Sequence, residues 1–128
     1  MSERIYHVWF GTKQRIPALQ GDIERDARQL FQENAVRAGV RLVEAETAVD
    51  HVHLIIAVPD DKNLSSAMHQ IKGACSRAIF LKYPDLKSDM SQTALWQKGY
   101  SYRQIDSDGV SAARGYVRTQ ERRSLRHD

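Results

Sequence analysis

Val40-Arg41-Leu42-Val43-Glu44-Ala45-Glu46-Thr47-Ala48 and His51-Val52-His53-Leu54-Ile55-Ile56-Ala57-Val58 are two apolar, β-branched runs that meet at Val49-Asp50. Strands joined by so short a turn pair antiparallel, because a parallel return needs a crossover of a dozen or more residues. Pro59-Asp60-Asp61 ends the second run. Along a strand, alternate side chains share a face. His51 and His53 therefore point one way, and Val52, Leu54 and Ile56 point the other.

Outward from this hairpin the hydrophobic period changes. Residues 17 to 38 place Ile23, Ala27, Leu30, Phe31, Asn34 and Ala38 at three- and four-residue steps, which predicts a long amphipathic helix opened by Pro17 and stopped by Gly39. Before it, residues 4 to 12, Arg-Ile-Tyr-His-Val-Trp-Phe-Gly-Thr, read as a strand ending near Gly11. Residues 63 to 83 return to helical spacing through Leu64, Met68, Ile71, Cys75, Ile79 and Phe80, with Asn63 or Ser65 as cap and Pro84 as stop. A loop then leads to Trp96, residues 99 to 105 alternate as a strand, and residues 110 to 124 read as a last helix capped by Asp108 or Ser111. The order is β-α-β-β-α-β-α. Its first six elements match an α+β, ferredoxin-like β-α-β-β-α-β antiparallel sheet with helices on one face, and the seventh is a C-terminal addition. With no repeat, low-complexity tract or linker, residues 1 to 128 are expected to form a single domain. The fold alone specifies no activity.

Composition narrows the function classes. At 41% hydrophobic and 27% charged residues, the chain has a globular balance and is not a wholly disordered polymer. It holds no apolar run near the roughly 20 residues that span a bilayer, and Met1-Ser2-Glu3-Arg4 lacks an export pattern, so a soluble, cytoplasmic protein without a membrane partner is expected. The single Cys75 excludes an intramolecular disulfide and reads as a small buried hydrophobe. The charge is unevenly spread. Residues 62 to 87 set Lys62, Lys72, Arg77, Lys82 and Lys87 against Asp85, and residues 112 to 127 set Arg114, Arg118, Arg122, Arg123 and Arg126 against Glu121, whereas residues 18 to 46 are acidic on balance. Such asymmetry suits a polyanion bound on one side, although charge alone reads as readily as two solvated helix faces.

Two constellations carry chemistry. The His51–His53 pair converges on one strand face, where neutral imidazoles can hold one divalent cation and leave positions open; a third ligand is still needed, and a hydrogen-bonded structural pair is the plainer alternative. On the last helix, Tyr116 and Gln120 stand four residues apart and share a face. A tyrosine hydroxyl can act as a nucleophile that splits one hard displacement into two easier ones, although its pKa of about 10 makes it weak unless a metal assists. Gln120 could supply an amide oxygen to such a metal, and Tyr116 beside Ala112, Ala113 and Val117 could equally be core.

Together these pieces resemble the HUH endonucleases, and specifically the single-tyrosine, TnpA-like transposases of the smallest prokaryotic insertion sequences. Five ordered blocks carry the resemblance: Tyr6-His7-Val8-Trp9-Phe10-Gly11-Thr12-Lys13, Val49-Asp50-His51-Val52-His53-Leu54, Ile71-Lys72-Gly73, Leu95-Trp96-Gln97-Lys98-Gly99-Tyr100 and Gly115-Tyr116-Val117-Arg118-Thr119-Gln120. One departure is Ser101-Tyr102-Arg103-Gln104-Ile105-Asp106, where relatives usually continue with Phe-Val and soon reach a glycine.

The resemblance implies that His51, His53 and Gln120 bind Mg²⁺ or Mn²⁺. It also implies that Tyr116 attacks a phosphate of single-stranded DNA bearing small hairpins, leaving a 5′-phosphotyrosine and a free 3′-OH whose reverse attack joins strands. No nucleotide cofactor is then required, in keeping with the missing Gly-rich phosphate loop. Homodimers are implied, with Asp106-Ser107-Asp108-Gly109 as a hinge and Tyr116 serving either its own site or its neighbour's. Lys72, Arg77, Arg114, Arg118, Arg122 and Arg123 are candidate contacts to the DNA backbone, while His7, Trp9, Tyr100 and Tyr102 are expected mostly to pack the sheet. Two alternatives remain: an HUH nickase with a host role, and a non-catalytic ferredoxin-like module that binds nucleic acid. A two-histidine phosphoesterase would need a duplicated motif that is absent.

Overall fold

Alternation in the opening segment builds strand β1 (Glu3–Gly11), which buries Tyr6, Val8 and Phe10 on one face and turns Ile5, His7 and Trp9 to the other. The computed structural model describes residues 3–90 and 94–106. After β1 come α1 (Gly21–Arg37), β2 (Arg41–Thr47), β3 (His51–Pro59), α2 (Leu64–Lys82), the short α3 (Pro84–Met90) and β4 (Ser101–Ile105). The strands lie in the order β2-β3-β1-β4, and each neighbouring pair is antiparallel. This is the ferredoxin-like α+β sheet expected from the element order. The tyrosine-bearing helix expected over residues 110 to 124 lies outside the described residues.

One face of the sheet meets both long helices. Ala27, Phe31 and Ala35 recur every four residues on α1, and Met68, Ile71, Cys75 and Ile79 line α2; they form one cluster with Tyr6, Val8, Phe10, Val52, Leu54, Ile56 and Val58. Burial pushes the Cys75 thiol up to about 12, as suits a packing role. Phe31 is fully buried and meets Phe10 edge to face, with centroids 6.2 Å apart, and Trp96 at 5.8 Å. Phe31→Ala is expected to cost about 3–5 kcal/mol, read as a lowered midpoint of urea unfolding with unchanged slope. No described helix is long and apolar enough to cross a membrane.

Two expectations are corrected. Helix α1 starts at Gly21, four residues after Pro17, because Ala18 and Leu19 are buried in the core and the Leu19 N–H donates to the Val49 carbonyl at 2.9 Å. Gly21 then turns the chain at φ +55°, a region glycine enters without a Cβ penalty. Pro84 does more than stop α2. It opens α3, since proline at a first helical position forfeits only an N–H that has no partner there, and Asp85 complements the helix N-terminus. Asn63 is the cap of α2, accepting from the Ser66 N–H at 2.8 Å.

Polar contacts fasten α1 to the β2 edge. Glu24 accepts from the Arg28 guanidinium and from Thr47 Oγ1 at 2.7 Å, while Arg28 also donates to the Ala45 carbonyl at 2.7 Å. Burial alone would raise the Glu24 carboxyl, but the hydrogen bonds from Arg28 and Thr47 overcome it and hold the group below the usual carboxylate range. A carboxyl depressed in the fold contributes stability above its unfolded pKa and loses it as pH falls through the folded value. Between pH 5 and pH 3 (roughly the carboxylate range), the urea midpoint is therefore expected to fall more steeply in the native chain than in Glu24→Gln.

Candidate active site

The site is built where β1 ends and β3 begins, on the sheet face turned away from the helical core. The hairpin turn before His51 is tied from three sides: the Thr12 N–H donates to the Asp50 carbonyl, the Leu19 N–H to that of Val49 and the Ala48 N–H to that of His51, each at 2.9 Å. After Thr12 the chain makes one 3₁₀ turn, Lys13–Arg15, in which Gln14 and Arg15 hold φ of +56° and +57°. Two side-chain-bearing residues in the left-handed region cost of order 1–3 kcal/mol each, and they persist only where the surroundings impose them. Here Thr12 Oγ1 donates to the Ile16 carbonyl at 2.7 Å, the Lys13 N–H donates to the Leu95 carbonyl at 2.9 Å, and the Arg15 guanidinium bridges Asp50 at 3.2 Å.

Register determines what faces the histidines. Gly11 lies opposite His51 and Trp9 opposite His53. A Cβ on Gly11 would come within 2.9 Å of Arg15 Cδ and 3.1 Å of Gln97 Oε1, so glycine lets these side chains close over the strand end. The His51 and His53 rings stand 5.3 Å apart at 80°, on one face as the alternation requires. Trp9 stacks beside them, 4.8 Å from His7 and 6.5 Å from His53, and remains 36% exposed.

Each histidine is held through Nδ1. His51 Nδ1 lies 2.9 Å from Asp50 Oδ1, and His53 Nδ1 lies 3.0 Å from His7 Nε2. An ionised carboxylate only accepts, so in the first contact His51 Nδ1 donates; the Arg15 guanidinium also approaches this nitrogen, at 3.3 Å. The Asp50 carboxyl is ionised: burial alone would raise it, and hydrogen bonds from His51 and Arg15 bring it below the usual range. Burial, with lesser contributions from the neighbouring His51 and His7, pulls His53 down to about 4. His7 is lowered by burial first and by Arg103 second. At neutral pH His7 and His53 are therefore uncharged imidazoles, the form that coordinates metals. Among the described residues, no group of three or more His, Cys, Asp or Glu could hold a cation by itself.

The remaining candidate residues divide. Tyr116, Gln120, Arg114, Arg118, Arg122 and Arg123 lie outside the described residues. Lys72 is half-buried: its ammonium donates to the Gln97 carbonyl at 2.9 Å and to that of Gly99, and lies 5.0 Å from the centre of the Phe10 ring. Burial lowers it to about 8. Its charge is thus engaged in holding the approach to β4, whereas Arg77 is exposed on α2. His7 is buried and Tyr100 half-buried, but Trp9 and Tyr102 are exposed, so two of the four aromatics expected to pack the sheet stand partly in solvent. Sequence pattern alone does not single out Arg15, Asp50 or the pairing of His7 with His53. Of these only Asp50 carries a local signal, since it adjoins the histidine pair in the chain.

The same fold occurs in known proteins. A Deinococcus radiodurans chain solved at 1.90 Å and provisionally described as a transposase superposes with a TM-score of 0.77 at 23% identity, covering 94% of this chain and 93% of that one. A REP-associated tyrosine transposase bound to a REP hairpin gives 0.69 at 14% identity, covering 91% and 66%. In sequence, the chain is 29% identical over 109 residues to the transposase for insertion sequence element IS200 of Salmonella typhimurium, covering 85% of this chain and 70% of the relative. It is also 24% identical over 115 residues to the ISDra2 transposase TnpA of Deinococcus radiodurans, covering 90% and 82%. The family described as Transposase IS200 like matches residues 1–120. The chain belongs to the IS200-like transposase family.

Proposed function

We propose that this transposase cleaves and rejoins single-stranded DNA at the hairpin-bearing ends of a mobile element, with Tyr116 as nucleophile and His51, His53 and Gln120 as ligands of Mg²⁺ or Mn²⁺. The observation that carries the reading is the pair of imidazoles on one strand face, rings 5.3 Å apart, each oriented by a neighbouring side chain at Nδ1. The donor set fits a divalent cation that keeps open positions for a phosphate. When bound, the ion stabilises charge on the phosphate oxygens.

The chain's residues do the rest. Tyr116 Oη attacks phosphorus; the bond to the 3′ oxygen breaks, that oxygen leaves as a 3′-OH, and the 5′ phosphate stays on tyrosine. Because one phosphodiester replaces another, rejoining draws on no nucleotide cofactor. Trp9 offers an exposed aromatic face and Arg103, across from His7 on the same sheet face, a cation; together they suit a base and its backbone. The solved neighbour bound to a REP hairpin supports DNA with hairpins as substrate. A homodimer, with Tyr116 completing its own site or its neighbour's, belongs to the same proposal.

The test incubates protein, Mn²⁺ or Mg²⁺ and end-labelled single-stranded oligonucleotides with hairpins, then runs a denaturing gel. A metal-dependent protein–DNA adduct is expected, with a free 3′-OH on the released strand. Binding without metal dependence or adduct would instead mark a non-catalytic module, and cleavage of hairpin-free strands at the same rate would favour a nickase.

A further inference from the structure

The two histidines of the pair are anchored by chemically different partners. His51 uses the Asp50 carboxylate on the adjoining residue, whereas His53 uses an imidazole from another strand. His7 pairs with Ile55 across the ladder and Trp9 with His53, so His7 reaches His53 diagonally on the shared face. The two rings lie nearly parallel, centroids 5.2 Å apart at 27°, and Trp9 packs against His7. His7 is 2% exposed and His53 8%, so bulk water cannot readily replace either partner.

We propose that His7 is a positioning residue for the metal centre: its Nε2 accepts the His53 Nδ1–H, and this hydrogen bond fixes the His53 tautomer that presents the Nε2 lone pair to the cation. The inference rests on the metal-centre reading above and adds a residue to it. The reverse arrangement, His7 donating to His53, would put the His53 proton on Nε2 and block coordination there. A neutral acceptor also orients the ligand without burying a second anion where a DNA phosphate must arrive, which a carboxylate at residue 7 would do.

The experiment compares the native chain with His7→Leu and His7→Gln, whose amide oxygen reaches about as far as an imidazole Nε2. Long-range ¹H–¹⁵N spectra of histidine-labelled, metal-free protein read the His53 tautomer, calorimetric titration with Mn²⁺ reads affinity, and dispersed amide spectra check each fold. The native chain and His7→Gln are expected to carry the His53 proton on Nδ1. His7→Leu is expected to lose that preference and to bind Mn²⁺ about 10–100-fold more weakly, while His7→Gln recovers most of the affinity. A native His53 protonated at Nε2 overturns the proposal, as does His7→Leu with unchanged tautomer and affinity. If the native chain shows the Nδ1 tautomer but takes up no Mn²⁺, the metal reading fails while the control of His53 by His7 stands.

Discussion

Tyr116→Phe is expected to yield a folded protein that binds hairpin DNA yet forms no covalent adduct and releases no 3′-OH. The substitution removes one oxygen, so it deletes the proposed nucleophile and little else; where a covalent route is the main route, losing the attacking group costs on the order of 10⁴-fold or more in rate. Gel shift and adduct assays on the same sample separate the two properties. Persistent cleavage by Tyr116→Phe would transfer the nucleophile's role to another residue, and lost DNA binding would show that the phenol holds substrate as well as attacking it. Mixing Tyr116→Phe with a chain defective in the histidine pair would further show whose site the tyrosine serves: restored cleavage requires that one protomer donate the phenol and its partner the ligands.

The second large effect concerns the histidines. His51→Ala and His53→Ala are each expected to lower Mn²⁺ affinity by more than about 100-fold and to remove adduct formation, since the proposed two-imidazole site reduced to one keeps too few donors. Their effects on folding should differ. His51 sits at the strand's start beside an Asp50–Arg15 bridge that survives its removal. His53 is buried beside His7 and Trp9 on an inner strand, so alanine there opens a void as well. Thermal melts without metal should show His53→Ala as the less stable of the two. Equal Mn²⁺ affinity in His51→Ala and the native chain would remove His51 from the ligand set.

Much of this architecture is legible in the chain because period and punctuation agree. β3 can be read from its apolar run and bounding turn, and its alternation correctly separates His51 and His53 from Val52, Leu54 and Ile56. The start of α1 is different: Pro17 is a good first helical residue locally, while the burial of Ala18 and Leu19 against the hairpin turn is a tertiary fact. α3 escapes local pattern because Pro84 carries two meanings, stop and start, and the first hides the second. The partnership of His7 with His53 depends on register: a shift of one residue between β1 and β3 would turn His7 to the opposite face, and local pattern does not specify that number. Lys72 illustrates the converse. Its charge invites a role at the DNA, but two carbonyls and the Phe10 ring already occupy it.

β1 and β3 are the two inner strands of the sheet, flanked by β4 and β2, and they carry His7, Trp9, His51 and His53. Their backbone amides are thus laddered on both sides, and their hydrogen–deuterium exchange should wait for near-global opening, while the outer ribbons breathe far more often. The histidine pair is accordingly placed on the strands expected to exchange slowest. Excursions at the rim of the sheet can occur without disturbing it.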